Sequence, residues 1–409
     1  MTNTFSRRHF IKLAGAAALG VLAPWRLGSV NAAEDWHDLL GYYGASTRSN
    51  IVEISGRRAL LSSRLYPGTC IRDALFWGPL ALGDANLGLE CYQWFAETQM
   101  ENGQIRSAVP LHPEEAQWLE PKDDEGGLLF VIASDWLRRQ GFALDTSRIE
   151  RAYAWVQTHV RNHTYISSRG PFRYWADTVS PNVSEAITHN QGLLCLARRA
   201  MRNMGLGGVT DQDVAAAQAR YRSFYNAGLR YVTLGKYSNF AWAQDISVVF
   251  PEFLSRYLYN EPILTDAMAV GHVERILRNA AVYFADGRLA GIKVISSSRG
   301  AFLPQSWFFA SGLNPPGDYQ NGGYWPVYSI VALALAYSIT HDVKYAQIIE
   351  QLVVNELAPD HQSKEIIRLT PGAVGTFDPA RSNYTWNALI PTACWWCGLE
   401  TSYRLQPVP

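Results

Sequence analysis

The sequence predicts an all-α protein, an (α/α)6 barrel of six helical hairpins, on three observations. Apolar residues recur at three- and four-residue spacing along most of the chain, strand-like alternation is confined to short pieces, and apolar segments alternate with charged ones. The periodic segments are 71–82, 87–98, 128–139, 148–160, 192–204, 214–229, 246–258, 267–284, 328–339, 345–357 and 386–399, with a twelfth near 35–43. The first, third, fifth, seventh, ninth and eleventh of these are apolar and rich in small or aromatic residues. Their alternates carry exposed charge, as in Arg148-Ile149-Glu150-Arg151 and Lys344-Tyr345-Ala346-Gln347. A helix apolar around most of its circumference is buried and an amphipathic one is half-buried, so an inner ring of six inside an outer ring of six follows. The clearest strand-like alternation runs over 288–296.

The chain has 409 residues. Ser6-Arg7-Arg8-His9-Phe10-Ile11-Lys12 has the twin-arginine export pattern, followed by an apolar run over 13–23 and a small-residue end, Val30-Asn31-Ala32-Ala33. Residues 1–33 therefore read as a removed signal and the mature protein as periplasmic or secreted. The apolar run is short beside the ~20 residues that a membrane span needs. No Pro-, Gly- or Ser-rich linker divides the remainder, so 34–409 reads as one domain. Lysine plus arginine, at 36, equal aspartate plus glutamate, at 36, with no basic block, which disfavours nucleic acid and anionic membrane as partners. Five cysteines is an odd number for a disulfide framework, and Cys394-x-x-Cys397 lies in the apolar TACWWCGLE, where it reads as helix packing. No cofactor or metal is required by the sequence.

Six loops precede the inner segments and hold the least helix-like chemistry. They contain Arg72-Asp73; Asp123-Asp124-Glu125; Trp175-Ala176-Asp177 with Glu185 and His189-Asn190; Trp242 and Asp245; Tyr319-Gln320-Asn321 with Trp325; and Glu365 with Trp386. In a closed ring of hairpins these loops meet at one end as a polar, aromatic funnel. With 14 tryptophans and 21 tyrosines, many beside Asp, Asn, Gln or Gly, the funnel suits sugars, whose CH faces stack on aromatics and whose hydroxyls take planar polar partners. An oligosaccharide or polysaccharide is the expected partner.

These loops resemble those of the six-hairpin glycosidases, the superfamily of glucoamylases (glycoside hydrolase family 15), glycogen debranching glucosidases, trehalases and neutral invertases. Arg72-Asp73 resembles the Arg-Asp that binds the nonreducing glucose in glucoamylases, and 318–326 resembles the Tyr-x-Asn-Gly-x-x-Trp-Pro loop of debranching enzymes and invertases. Ser363-Lys364-Glu365, with Tyr384-Thr385-Trp386 following, resembles the glucoamylase segment whose Ser-x-Glu supplies the general base. Trp175-Ala176-Asp177 resembles the Trp-x-Asp of debranching glucosidases that supplies the general acid, and Glu185 is an alternative acid at the position where glucoamylases place a glutamate. The resemblance implies an inverting, exo-acting glycoside hydrolase, with the catalytic carboxyls separated by ~6.5–9.5 Å to admit a water. It leaves Arg72, Asp73, Asp124, Glu125, Trp175, His189, Asn190, Trp242, Asp245, Tyr319, Gln320, Asn321, Trp325 and Trp386 as substrate-binding candidates.

The residue chemistry points the same way. Hydrolysis needs one carboxyl protonated and one ionised. Tyr174 and Trp175 would exclude water from Asp177, while Ser363, Lys364 and Arg368 would favour the charge of Glu365. Two other classes remain open: a lyase or epimerase acting on uronic-acid polymers, with Tyr319 or His189 as base, and a noncatalytic glycan-binding protein.

Overall fold

The structure, a computed structural model, describes residues 35–66, 68–110, 125–309, 312 and 314–399. The signal expected over 1–33 lies outside these residues. The helices are α1 (Trp36–Leu39), α2 (Gly41–Ser49), α3 (Gly78–Leu82), α4 (Ala85–Glu97), α5 (Gly126–Arg139), α6 (Thr146–Thr158), α7 (Thr188–Met204), α8 (Asp211–Arg222), α9 (Phe250–Tyr259), α10 (Asp266–Ala280), α11 (Pro326–Thr340), α12 (Val343–Leu357) and α13 (Leu389–Trp396). A π-helical turn, Arg72–Trp77, leads into α3, and 3-10 turns, Ile246–Val249 and Thr385–Ala388, lead into α9 and α13. The π-helical turn before α3 packs on α5, helices α5, α7, α9, α11 and α13 pack each on the next, and α13 returns to α3, which closes a ring. Helices α4, α6, α8, α10 and α12, with α1 and α2, form the outer layer. This is the (α/α)6 barrel that the sequence predicts.

Burial explains which helix goes where. In α5 every residue from Gly126 to Leu137 is buried, and α11 is buried from Pro326 to Ala336. Outer helices bury one stripe, such as Ile149, Ala152, Tyr153 and Val156 in α6. Their starts differ too. The outer helices α4, α6, α8, α10 and α12 each begin on a capping side chain, from Asp84, Asp145, Thr210, Thr265 and Asp342. The inner helices α5, α7, α11 and α13 have none. The starts of the six inner helices, with the π and 3-10 turns that lead into three of them, carry the six loops at one end of the ring.

Two periodic segments stop short of their expected ends. Helix α8 ends at Arg222, and 225–232 turn into a hairpin, Tyr225–Asn226 against Tyr231–Val232, closed by Asn226 Oδ1 accepting the Leu229 N–H at 3.0 Å. Helix α10 ends at Ala280, where Ala281–Tyr283 pairs with Leu289–Ile292. The expected strand over 288–296 splits into that piece and Ile295–Ser297, which pairs with Ala243–Asp245. Cys394 and Cys397 are buried at the end of α13, with the Cys397 thiol 3.1 Å from the Cys394 carbonyl.

Candidate active site

Glu365 stands on the segment between α12 and α13, and that segment is clamped from behind. Glu356 Oε1 accepts the Lys364 N–H at 2.8 Å, Asn387 Nδ2 donates to the Lys364 carbonyl at 2.6 Å, and Ser363 Oγ donates to the Tyr384 carbonyl at 3.0 Å. The side chain of Glu365 turns the other way and is 3% exposed, yet it is short of strong partners. The Tyr66 hydroxyl donates to its two oxygens at 3.0 and 3.1 Å, and Arg381 Nε lies 3.8 Å away. Burial therefore pushes its pKa up to about 7; Arg381 and Tyr66 hold it back, and Asp177 and Asp73 push it further. Asp177 and Asp73 are thus near enough for their charges to act on Glu365.

This corrects the sequence-based account of the Glu365 charge. None of the three neighbours expected to favour ionisation does so. Lys364 Nζ donates to the Glu356 and Gln362 carbonyls and to Asp360, Arg368 pairs with Asp318 at 2.8 Å, and the Ser363 hydroxyl is occupied. Arg381 and Tyr66 take that role. Tyr66 lies in the same loop as Arg72 and could have been noticed there; Arg381 has no local sequence signal.

Asp177 is half-buried on the loop before α7, and Gln320 Nε2 donates to its Oδ1 at 2.8 Å. Gln320 is itself fixed by the Thr178 N–H, which its Oε1 accepts at 2.9 Å. Loops three and six stand opposite each other in the closed ring, so Asp177 and Glu365 belong to facing walls. Asp73 is buried, and Ser62 Oγ donates to its Oδ2 at 2.5 Å. Burial lifts its pKa to about 6 against the pull of Ser62 and Arg72. Arg72 pairs with buried Glu125 at 2.6 Å, and its guanidinium lies 5.7 Å from the Trp386 ring. Gly78, one turn on, has no room for a side chain: a Cβ would fall 2.2 Å from Leu60 Cδ2 and 2.9 Å from the Asp73 carbonyl.

The floor of the cleft is aromatic. Trp175 lies edge-on to Trp325 at 5.2 Å and to Trp386 at 6.2 Å, and Tyr328 packs 4.3 Å from Trp175. Tyr319 packs 5.4 Å from Trp325 and carries the Arg381 guanidinium at 4.7 Å. Three buried polar atoms around this well, Asp73 Oδ1, Tyr328 Oη and Trp386 Nε1, have no hydrogen-bond partner among the described residues. Buried polar groups are normally bonded, so such a cluster is completed by a ligand rich in hydroxyls or by water.

Other candidates occupy different places. Asp245 is buried beside Tyr174, with its pKa pushed up to about 7 by burial, and its Oδ1 accepts the Ser247 N–H at 2.8 Å. His189 is buried, its Nδ1 is 3.1 Å from the Ser247 carbonyl, and burial drives its pKa down to about 3. Asn190 does not reach for substrate with its amide nitrogen, which donates to Ser167 Oγ and the Arg173 carbonyl. Asn321 is spent on the Leu303 backbone and the Asn314 carbonyl. Trp242 lies outside the well, 66% exposed. Asp124 lies outside the described residues. Glu185, the alternative acid, is a loop staple: its Oε1 accepts the N–H groups of Ala186, Lys236 and Tyr237 at 2.7–2.9 Å, and its Oε2 that of Ser238 at 2.9 Å. Fully buried, it joins its own loop to the one that holds Lys236, Tyr237 and Ser238.

A closed double ring of helices is a fold that this chain shares with solved glycosidase structures. Solved structures with the same fold include a glycosidase variant in complex with glucose, at 14% identity over 89% of this chain and 97% of that one, TM-score 0.60. Another is a family GH63 mannosylglycerate hydrolase from Thermus thermophilus in complex with Tris and D-glycerate, at 11% identity over 88% and 99%, TM-score 0.53. A third is an α-amylase from Clostridium perfringens, at 10% identity over 88% and 98%, TM-score 0.52. At these identities the likeness establishes the fold. No family model matches the chain, and no curated protein matches it in sequence.

Proposed function

We propose that the protein is an exported glycoside hydrolase that acts by inversion on the end of an oligosaccharide or exopolysaccharide. The observation that carries the reading is the closeness of Asp177 and Asp73 to Glu365, beside an aromatic well that contains unpaired buried polar atoms. The fold shared with glycosidases supports it. Asp177 protonates the bridging oxygen, with Gln320 fixing its rotamer. Glu365 takes a proton from the attacking water, with Tyr66 and Arg381 stabilising its ionised form. Asp73 Oδ1 and Trp386 Nε1 take hydroxyls of the bound sugar.

Elimination is less well supported. A tyrosine base must lose its proton readily, whereas burial raises the pKa of Tyr319 well above its usual value, with Asp177 and Glu365 adding to the rise. Proton NMR of the mature protein with α-glucosides, β-glycosides and bacterial exopolysaccharides tests the reading. A new reducing-end signal, first in the anomer opposite to the substrate, is expected. A vinylic proton from an unsaturated uronate would replace hydrolysis by elimination. In the substrate found, Asp177→Asn and Glu365→Gln are each expected to lose about 10²–10⁴-fold in kcat with melting temperature retained.

A further inference from the structure

A patch outside the well has no part in the chemistry described so far. Among the described residues, the exposed large hydrophobic side chains include Trp242 at 66%, Tyr237 at 57%, Val183 at 44% and Phe309 at 37%. They come from three separate loops that are bound to one another. The Glu185 carboxylate, two residues beyond Val183, grips the N–H groups of Lys236, Tyr237 and Ser238. The Phe309 N–H donates to the Thr178 carbonyl at 2.7 Å, and the Ser180 N–H to the Trp307 carbonyl at 2.8 Å, so the third loop is fastened to the residues that follow Asp177. Phe240 packs on Trp307 at 5.2 Å, which joins the second loop to the third. Trp242 is anchored as well, its carbonyl accepting the Ser298 N–H at 2.7 Å.

The patch is therefore rigid, and it leads into the cleft. From Trp242 the chain runs as a strand, Ala243–Asp245, to buried Asp245, so the tryptophan stands about 10 Å outward from that carboxyl at ~3.3 Å per residue. A fold that holds two aromatic rings in water on stapled loops forgoes their burial, and such a surface is normally completed by a ligand.

We infer that this rim binds the part of a glycan on the leaving-group side of the bond to be cut, with Trp242 and Tyr237 stacking on the CH faces of successive sugars. The orientation rests on the hydrolase reading: the acid Asp177 touches the bridging oxygen, and the loop of Tyr237 and Trp242 is bound through Glu185 to the outer part of the acid's loop, so a chain leaving past that loop meets this rim. Polar residues lie between the rings, Lys236, Ser238 and Asn239. That mixture fits hydroxyl-bearing sugars better than the dry apolar core of a protein interface.

The test is native affinity electrophoresis of the mature protein through gels containing soluble starch, dextran, galactomannan, xylan or alginate. At least one polymer is expected to retard the wild type. The double variant Trp242→Ala, Tyr237→Ala, checked for an unchanged melting temperature, is expected to bind that polymer about tenfold more weakly. Trp242→Phe, which keeps a stacking face, is expected to recover binding, and Trp242→Ala alone replaces the double variant if that does not fold. In kinetics, the ratio of kcat/KM on the polymer to kcat/KM on the corresponding 4-nitrophenyl monoglycoside should fall by a similar factor. A wild type that no polymer retards, or a folded double variant as retarded as the wild type, overturns the inference. Retardation requires no turnover, so a protein that binds and cleaves nothing discards hydrolysis and keeps the surface. One that cleaves the monoglycoside without retardation does the reverse.

Discussion

At the scale of single residues, the charge of the proposed base, Glu365, is set by two side chains that reach it from distant parts of the sequence. Glu365 acts only when ionised, and burial has moved its pKa up to about 7, so the rate kcat/KM is expected to fall as pH drops below that value. Arg381 and Tyr66 both lower that pKa; removing either raises it, and Arg381→Gln or Tyr66→Phe should move the acid limb of the kcat/KM profile to higher pH. A profile whose acid limb stays in place in both variants would show that another group titrates there. The Ser-x-Glu pattern singled out Glu365 as the proposed base, and Trp-x-Asp singled out Asp177 as the proposed acid. What stayed hidden was their surroundings. Lys364 and Arg368 are close to Glu365 in sequence and were expected to favour its charge, but the backbone clamp on Lys364 turns them toward Glu356, Asp360 and Asp318. Sequence neighbours alternate between faces of an extended segment, so a charge one residue away is a poor guide to what the side chain meets.

At the scale of elements, the rings were legible because a buried helix and a half-buried one differ in composition around the circumference, as α11 and α6 do. Boundaries were less so: the apolar pattern of α8 continues into Tyr231–Val232, and only the Asn226 turn reveals that a hairpin has begun. Glu185 shows the same limit in a loop. Its position before an inner helix made it a candidate acid, whereas its four backbone partners make it the tie between the loop over 167–185 and the loop over 235–238. Glu185→Ala leaves those donors buried without an acceptor and is expected to cost about 2–4 kcal/mol of stability in denaturant unfolding. Glu185→Gln, which retains one acceptor oxygen, should be milder and should keep hydrolysis at a measurable rate. A folded Glu185→Gln protein, stable as wild type but with kcat reduced by orders of magnitude, would return the acid role to Glu185.

At the scale of the whole molecule, the cleft makes folding stability depend on pH in a direction opposite to that of a protein held by surface ion pairs. Among the described residues, burial raises the pKa of Asp73 to about 6 and of Asp245, Glu356 and Glu365 to about 7, against about 4 in the unfolded chain, and it also raises those of Asp135 and Glu252. Between these limits the folded state holds protons that the unfolded state has lost, so their contribution to stability is greatest near pH 4 and declines as pH rises. Two buried imidazoles oppose this. His189 and His272, pushed down by burial to about 3 and 4, stay neutral in the fold while the unfolded chain protonates below about 6.5, which favours the fold as pH rises toward that value. Carboxylates held low at helix starts, such as Asp145 and Asp342, titrate below this window. The raised carboxyls outnumber the lowered imidazoles, and the carboxyls at about 7 still titrate above pH 6.5. The melting temperature of the mature protein is therefore expected to decline from about pH 5 to about pH 7 and then level off. Glu365→Gln or Asp245→Asn should flatten part of the decline, since each removes one titrating group from the cleft. A melting temperature that rises steadily from pH 5 to pH 7 would show these carboxyls already ionised in the fold. The cleft would then hold its negative charges against water rather than against burial, and the unpaired Asp73 Oδ1 would be solvated instead of waiting for a hydroxyl.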